Sequence, residues 1–143
     1  MATVELRFSA LPAHVRTARL VAAAVARRSG VDEAVLDEVR LAVGEACSRA
    51  VHLHRQHCPH TPVMVTLVDE DKTFQVSVTD EAPRGGDESG GGTLADLAKS
   101  ADLEDPVVPG MGLAVISGLV EDLAVEHGAD RGVVVRMRWP TST

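Results

Sequence analysis

The stretch Leu36-Asp-Glu-Val-Arg-Leu-Ala-Val-Gly-Glu-Ala-Cys-Ser-Arg-Ala-Val-His-Leu-His54 determines how the rest of the chain is organised. Apolar residues recur in it every three or four positions, which predicts a long helix that packs one face on a sheet. This apolar stripe comprises Val35, Val39, Ala42, Val43, Ala46, Ala50 and Leu53. A second row at the same spacing comprises Leu41, Glu45, Arg49 and His52. That row is predicted to line a cleft, in which Glu45 is either chemically active or only paired with Arg49, one turn later.

Composition indicates one globular domain, spanning residues 1–143, of which 45% are hydrophobic. The longest aliphatic run, Leu20 to Ala26, is too short to cross a bilayer, and the N-terminus lacks the pattern of a signal peptide, so we expect a cytoplasmic protein. A net charge of −7 and an aromatic content of 2% argue against direct binding to nucleic acid or to an anionic membrane. Cys47 and Cys58 show no spacing typical of a disulfide framework.

Alternating and helical patterns on either side of the long helix predict an α+β fold. Strands are predicted at 4–8, 63–68, 74–79, 122–127 and 132–139, and helices at 13–28, 36–54 and from 113 onward. Gly30 is predicted to end the first helix and Asp32 to cap the second. The turn Asp69-Glu70-Asp71-Lys72 joins two strands into a hairpin, whose second strand ends at Asp80. This order favours a two-layer α/β sandwich, in which helices cover one face of a mixed, mostly antiparallel sheet.

The segment at about 81–109 is rich in Gly, Pro, Asp and Glu, and irregular segments of this length are usually functional or mobile, so we interpret it as a lid. It leads to Gly110-Met111-Gly112, which opens a helix. Glycines allow a ligand to approach the backbone, and the N-terminus of a helix favours phosphate. Glu45, Asp80 and this glycine turn are therefore the three places where chemistry is predicted to converge.

The order of these three places, with a lid-like segment between the second and the third, resembles the GHKL-type ATPases. It is most similar to the small bacterial anti-sigma-factor serine kinases of stress response and sporulation. The matching segments are Leu41-Ala42-Val43-Gly44-Glu45-Ala46-Cys47-Ser48, Val76-Ser77-Val78-Thr79-Asp80, Gly110-Met111-Gly112-Leu113-Ala114-Val115-Ile116 and Arg136-Met137-Arg138-Trp139. The resemblance implies the histidine-kinase-like ATPase (Bergerat) fold over nearly the full length.

The resemblance also implies roles for individual residues. Glu45 would be the general base toward the attacking hydroxyl, and Asp80 would accept a hydrogen bond from the adenine amino group of ATP. The phosphates would be held by Gly110, Met111, Gly112 and Leu113. The implied partners are a sigma factor and an anti-anti-sigma factor of the STAS type, bound by a homodimer.

Several positions depart from the family pattern. The asparagine that ligates magnesium is Arg49 here, and a guanidinium has no lone pair for a metal. Ala82 and Arg84 stand where the family has glycines after the strand aspartate. Before the glycine turn, residues 107–109 (Val-Val-Pro) include no basic residue, although kinases of this group often have one there. After Gly132 the family usually has a hydroxyl residue, and this chain has Val133. We therefore expect ATP binding to be weak or lost, and binding of magnesium is doubtful. In the alternative, Arg49 contacts phosphate directly and replaces some of the charge of the metal.

The predicted function is an anti-sigma-type regulator of transcription that works by binding a sigma factor, an anti-anti-sigma partner, or both. An active ATP-dependent serine kinase is the alternative. A third hypothesis, a metal-responsive module, depends on a cluster of possible ligands: His52, His54, His57, Cys58 and His60. Their spacing matches no strong metal signature, so no metal site is predicted, and a solvated helix end is the simpler interpretation.

Overall fold

The computed structural model describes residues 2–83, 116–120, 122–128 and 131–141. The elements in these ranges are β1 (Ala2–Phe8), α1 (Pro12–Ser29), a 3₁₀ helix (Glu33–Val35), α2 (Leu36–His57), β2 (Val63–Glu70), β3 (Thr73–Pro83), β4 (Asp122–His127) and β5 (Arg131–Pro140). Residues 116–119 form one further helical turn. The predicted phosphate residues 110–113 and nearly all of the predicted lid lie outside the described residues. Leu123 fits both the helical spacing that begins at 113 and the strand predicted at 122–127, and it lies on β4.

The strands form one sheet in the order β1-β2-β3-β5-β4, and every neighbouring pair in it is antiparallel. α1 and α2 pack against each other, and α2 lies across β3. The α+β prediction is therefore confirmed. The prediction of a mixed sheet allowed some parallel pairing, but the described strands include no parallel pair.

The hairpin of β2 and β3 turns in two residues, Asp71 and Lys72, where four had been predicted. Both have left-handed backbone angles, with φ of 53° and 59°. Two consecutive left-handed residues give a turn whose twist matches that of the flanking strands. The ladder therefore extends to the pair Glu70 and Thr73, next to the turn.

Most of the predicted stripe of α2 is in the core. Val39, Ala42, Val43 and Ala46 have no exposed surface. Leu53 was placed wrongly, since it is only half-buried, and the next residue, His54, is completely buried instead. From Ala46 the buried side of the helix continues at intervals of four, through Ala50 to His54, which carries the stripe past Leu53.

The end of α1 follows the sequence prediction, but Asp32 caps the 3₁₀ helix and not α2, whose N-cap residue Val35 makes no side-chain hydrogen bond to the helix. Pro12 begins α1 and Gly30 follows its last residue with φ of 100°, a conformation that glycine adopts without steric cost. The Asp32 carboxylate accepts a hydrogen bond from the backbone N–H of Ala34 at 3.0 Å. No helix in the described part of the chain has the length and the apolar character needed to cross a membrane.

Trp139 connects the sheet with α2. Its ring stacks on that of Phe74 in β3, with centroids 6.2 Å apart. Its indole Nε1–H donates to the Glu38 carboxylate of α2 at 3.1 Å. Trp139 is 4% exposed, so this contact lies at the inner surface of the sheet.

The two cysteines are both free, and we predict that they differ strongly in reactivity. Cys47 is fully buried, and this burial raises the pKa of its thiol to about 12. Because the thiolate is the reactive species, Cys47 should react roughly a hundredfold or more slowly than the half-buried Cys58 with a thiol reagent at pH 8. Ellman titration of the native protein should show one fast thiol, which Cys58→Ser removes. Two equally fast thiols would contradict the packing of α2.

Candidate functional site

The predicted cleft residues Arg49 and Asp80 contact each other directly. Arg49, on α2, donates from Nη1 to Asp80 Oδ2 on β3 at 3.0 Å. Their side chains are only 6% and 2% exposed. This is a buried ion pair between the helix layer and the sheet. It joins the position that the family resemblance assigns to a magnesium ligand with the position that it assigns to adenine recognition.

The partner of Arg49 is therefore not Glu45, although the two lie one turn apart on α2. Among the described residues, Glu45 forms no ion pair, and it is half-buried where Arg49 is buried. A buried guanidinium needs a carboxylate at close range, because leaving it unpaired costs several kcal/mol, on the order of 3–5. Asp80 lies under α2 in the sheet and meets that need. The role of Glu45 as a general base stays a prediction.

The second oxygen of Asp80 is also occupied. The backbone N–H of Ala82 donates to Oδ1 at 3.0 Å. The ladder of β3 and β5 is irregular between Asp80 and Pro83, and β3 continues to Pro83, so Asp80 does not end the strand as predicted. Each carboxylate oxygen of Asp80 thus has one protein donor, as buried polar groups generally do.

Gly132 on β5 brings backbone very close to Asp80. It has φ of 82°, and a Cβ built on it would lie 2.4 Å from the carbonyl oxygen of Asp80. Only glycine fits at that distance, which no real Cβ contact approaches. The sequence placed Gly132 at the start of a predicted strand and gave no sign of this close approach. Its neighbour Val133 lies opposite Asp80 in the ladder and has no hydroxyl to offer a ligand.

His54 holds the end of α2 against both the following loop and the sheet. Its Nδ1 lies 2.8 Å from the carbonyl oxygen of Thr61, and the backbone N–H of Glu81 donates to Nε2 at 2.8 Å. Because Nε2 accepts, the ring is neutral and Nδ1 carries the hydrogen that is donated to Thr61. The solvated helix end expected from sequence is wrong for this residue, which has no exposed surface.

Among the described residues, the histidine cluster is not grouped as a set of metal ligands. Within residues 2–83 and the shorter described ranges, no three His, Cys, Asp or Glu side chains are grouped to hold a metal ion. Both nitrogens of His54 are already bonded to the protein. The residues at the predicted nucleotide site do not fit magnesium either, since Arg49 replaces the family ligand and its head group is held on Asp80.

We refer to Arg49, Asp80, Ala82 and Gly132 as the Asp80 cluster. One polar atom in it, Arg49 Nε, is buried and has no hydrogen-bond partner among the described residues. The cluster is otherwise closed: two donors satisfy the carboxylate, and β5 packs against its backbone. As arranged, it holds the sheet and α2 together and offers a ligand no acceptor that lacks a protein partner.

Comparison with known proteins defines the class to which this fold and site belong. The chain matches the family described as histidine kinase-like ATPase domain over residues 8–139, and it therefore belongs to that family. This membership confirms the predicted fold, and the relatives below support the predicted relationship to the anti-sigma-factor serine kinases.

The individual relatives that the chain resembles belong to a narrower class of protein than the family as a whole. The chain is 27% identical over 139 residues to the serine-protein kinase RsbW of Bacillus mycoides, and 26% identical to that of Bacillus cereus, covering 94% of this chain and 82% of each relative. The crystal structure of the RsbU and RsbW domains of Rv1364c from Mycobacterium tuberculosis superposes with a TM-score of 0.67 at 19% identity. That likeness, which concerns the fold alone, covers all of this chain but only 33% of the other.

Proposed function

We propose that this chain is an anti-sigma-factor-type regulator of transcription, which acts by binding a sigma factor, a STAS-type anti-anti-sigma partner, or both. In this proposal the ATPase scaffold is kept while its catalysis is impaired. The observation that supports it best is the Arg49–Asp80 ion pair, in which the residue that replaces the family's magnesium ligand is a cation held on Asp80.

The loss of that ligand bears directly on phosphoryl transfer. Bound magnesium neutralises the charge that develops on the transferred phosphate and its neighbours, and most of the catalysis in such enzymes is electrostatic. Arg49 is held in the protein by Asp80, so it does not substitute for the metal in the arrangement described. Glu45 retains the place of the general base, and Gly110, Met111, Gly112 and Leu113 remain the proposed phosphate residues.

An active serine kinase is the second candidate, and the names of the relatives favour it, because both are serine-protein kinases. In that case Glu45 would accept the proton of the attacking serine hydroxyl, and Arg49 would have to leave Asp80 to contact phosphate. We also propose that the protein is a homodimer and that it works in the bacterial cytoplasm. Sedimentation analysis of the purified protein would test whether it is a dimer.

The two candidates predict different responses to ATP. Sigma factors and STAS-domain proteins from the same genome would be tested for binding by surface plasmon resonance, with and without ATP and magnesium, beside an RsbW relative as control. We expect binding of the same affinity in both conditions and no phosphate transfer to the STAS-domain protein. Strict dependence of binding on ATP, or transfer that Glu45→Ala abolishes, would replace this proposal by the kinase.

A further inference from the structure

We propose that Arg49 is an internal competitor for the nucleotide base. Its guanidinium occupies the hydrogen-bonding position on Asp80 that an adenine amino group would take, and so closes the site to adenine nucleotides. This inference rests on the proposed function, because it assumes that Asp80 is the base-reading residue of the scaffold. It adds that the closure is due to one side chain and is therefore reversible by one substitution.

The first step concerns the acceptor itself. An adenine amino group is a donor and needs a carboxylate oxygen with an accessible lone pair. Asp80 Oδ2 accepts from Arg49 at 3.0 Å, and Oδ1 accepts from the N–H of Ala82 at 3.0 Å. Asp80 is 2% exposed, so neither oxygen is open to solvent, where a ligand would arrive.

The second step concerns the strength of the competing bond. Arg49 donates with a full positive charge to a carboxylate, whereas the amino group of adenine is neutral, and charge-assisted bonds are roughly twice as strong. A base that displaced Arg49 would also leave a guanidinium that is now 6% exposed without its counter-ion. Adenine therefore competes at a disadvantage that families with asparagine at this position do not have.

The third step is that the remaining structure holds Asp80 without Arg49. The carboxylate keeps its bond from Ala82, the main chain next to it is anchored by the Glu81–His54 bond, and Gly132 packs against its carbonyl. Arg49 itself is incompletely bonded, because its buried Nε lacks a partner in the described part of the chain. Shortening Arg49 should therefore free Oδ2 while leaving the direction of the carboxylate unchanged.

The test is calorimetric titration with ADP in EDTA, which separates base recognition from metal binding. Arg49→Asn should bind ADP roughly 10- to 100-fold more tightly than the wild type, the usual effect of one hydrogen bond to a charged group. Arg49→Asn/Asp80→Asn should lose that gain. GDP should show no gain with Arg49→Asn, because guanine presents a carbonyl oxygen to the Asp80 carboxylate where adenine presents the amino group.

Circular dichroism and the melting temperature would establish that each variant is folded, and Arg49→Met, which fills similar space without an N–H donor, would replace Arg49→Asn if the latter does not fold. Equal ADP affinity in the wild type and the folded variant would overturn the proposal. Tighter binding by the wild type would do so as well, since Arg49 would then contact the nucleotide. Neither result bears on whether the protein binds its partner in the absence of nucleotide. Failure to bind a partner would instead refute the proposed function.

Discussion

Asp80→Ala is expected to lower the free energy of unfolding by about 3–5 kcal/mol, the usual effect of removing one partner of a buried ion pair. Arg49 is 6% exposed and would keep its charge with no carboxylate in contact. The N–H of Ala82 would lose its acceptor at the same time. Urea unfolding followed by circular dichroism at 222 nm would measure the loss, with the slope of the transition showing whether unfolding remains two-state.

Two controls separate this effect from a general effect of losing a charge. Glu33→Ala removes the carboxylate of an exposed pair with Arg27, whose side chains are 73% and 60% exposed, and should change stability by less than about 1 kcal/mol. Arg49→Met/Asp80→Leu removes both buried charges and should recover most of the loss, since apolar replacements of buried pairs are often neutral or better. If Asp80→Ala cost no more than Glu33→Ala, the pair would not be desolvated as described.

Gly132→Ala is expected to be the second most damaging change, with a loss of about 2–4 kcal/mol in the same assay. The new methyl group would lie 2.4 Å from the carbonyl oxygen of Asp80, so that β5 or β3 would have to move. The φ of 82° adds strain for any residue with a side chain. Because the new methyl group would displace the backbone of Asp80, the contacts of the Asp80 cluster should be disturbed more than the rest of the structure.

Gly118→Ala is the matched control for this change. Gly118 is exposed in the helical turn at 116–119, and a Cβ there would meet nothing within 4 Å. Alanine in a helix is favoured over glycine by up to about 1 kcal/mol, so this variant should be neutral or slightly stabilised. Equal tolerance of alanine at 118 and 132 would mean that β5 does not approach Asp80 as closely as described.

Local sequence patterns were sufficient for most of the fold. The hairpin of β2 and β3 and the stripe of α2 repeat at the period of their own element, so each can be recognised without knowing what it packs against. The placement of Leu53 was wrong by one residue. Hydrophobicity favours leucine over histidine in a core, and nothing local showed that the carbonyl of Thr61 and the N–H of Glu81 would satisfy His54.

The candidate site was less accessible to sequence. Glu45, Arg49 and Asp80 could be named from their order and from the family resemblance. The partner of Arg49 could not, because spacing along a helix identifies only neighbours on that helix, and Asp80 lies 31 residues away in the sheet. The close approach of Gly132 to Asp80 likewise depends on the pairing of β3 with β5, two strands that are distant in sequence and that no local pattern assigns to each other.

Trp139 has a practical consequence that follows from composition as much as from structure. The chain has one tryptophan and no tyrosine, so ultraviolet emission excited at 295 nm comes from this indole alone. The ring is shielded by Phe74 and bonded to Glu38, and its spectrum therefore depends on the junction between the sheet and α2. Partner docking or ligand entry that separates these layers would shift the emission to longer wavelength. The protein thus carries an intrinsic optical probe of its own layer packing, without any label.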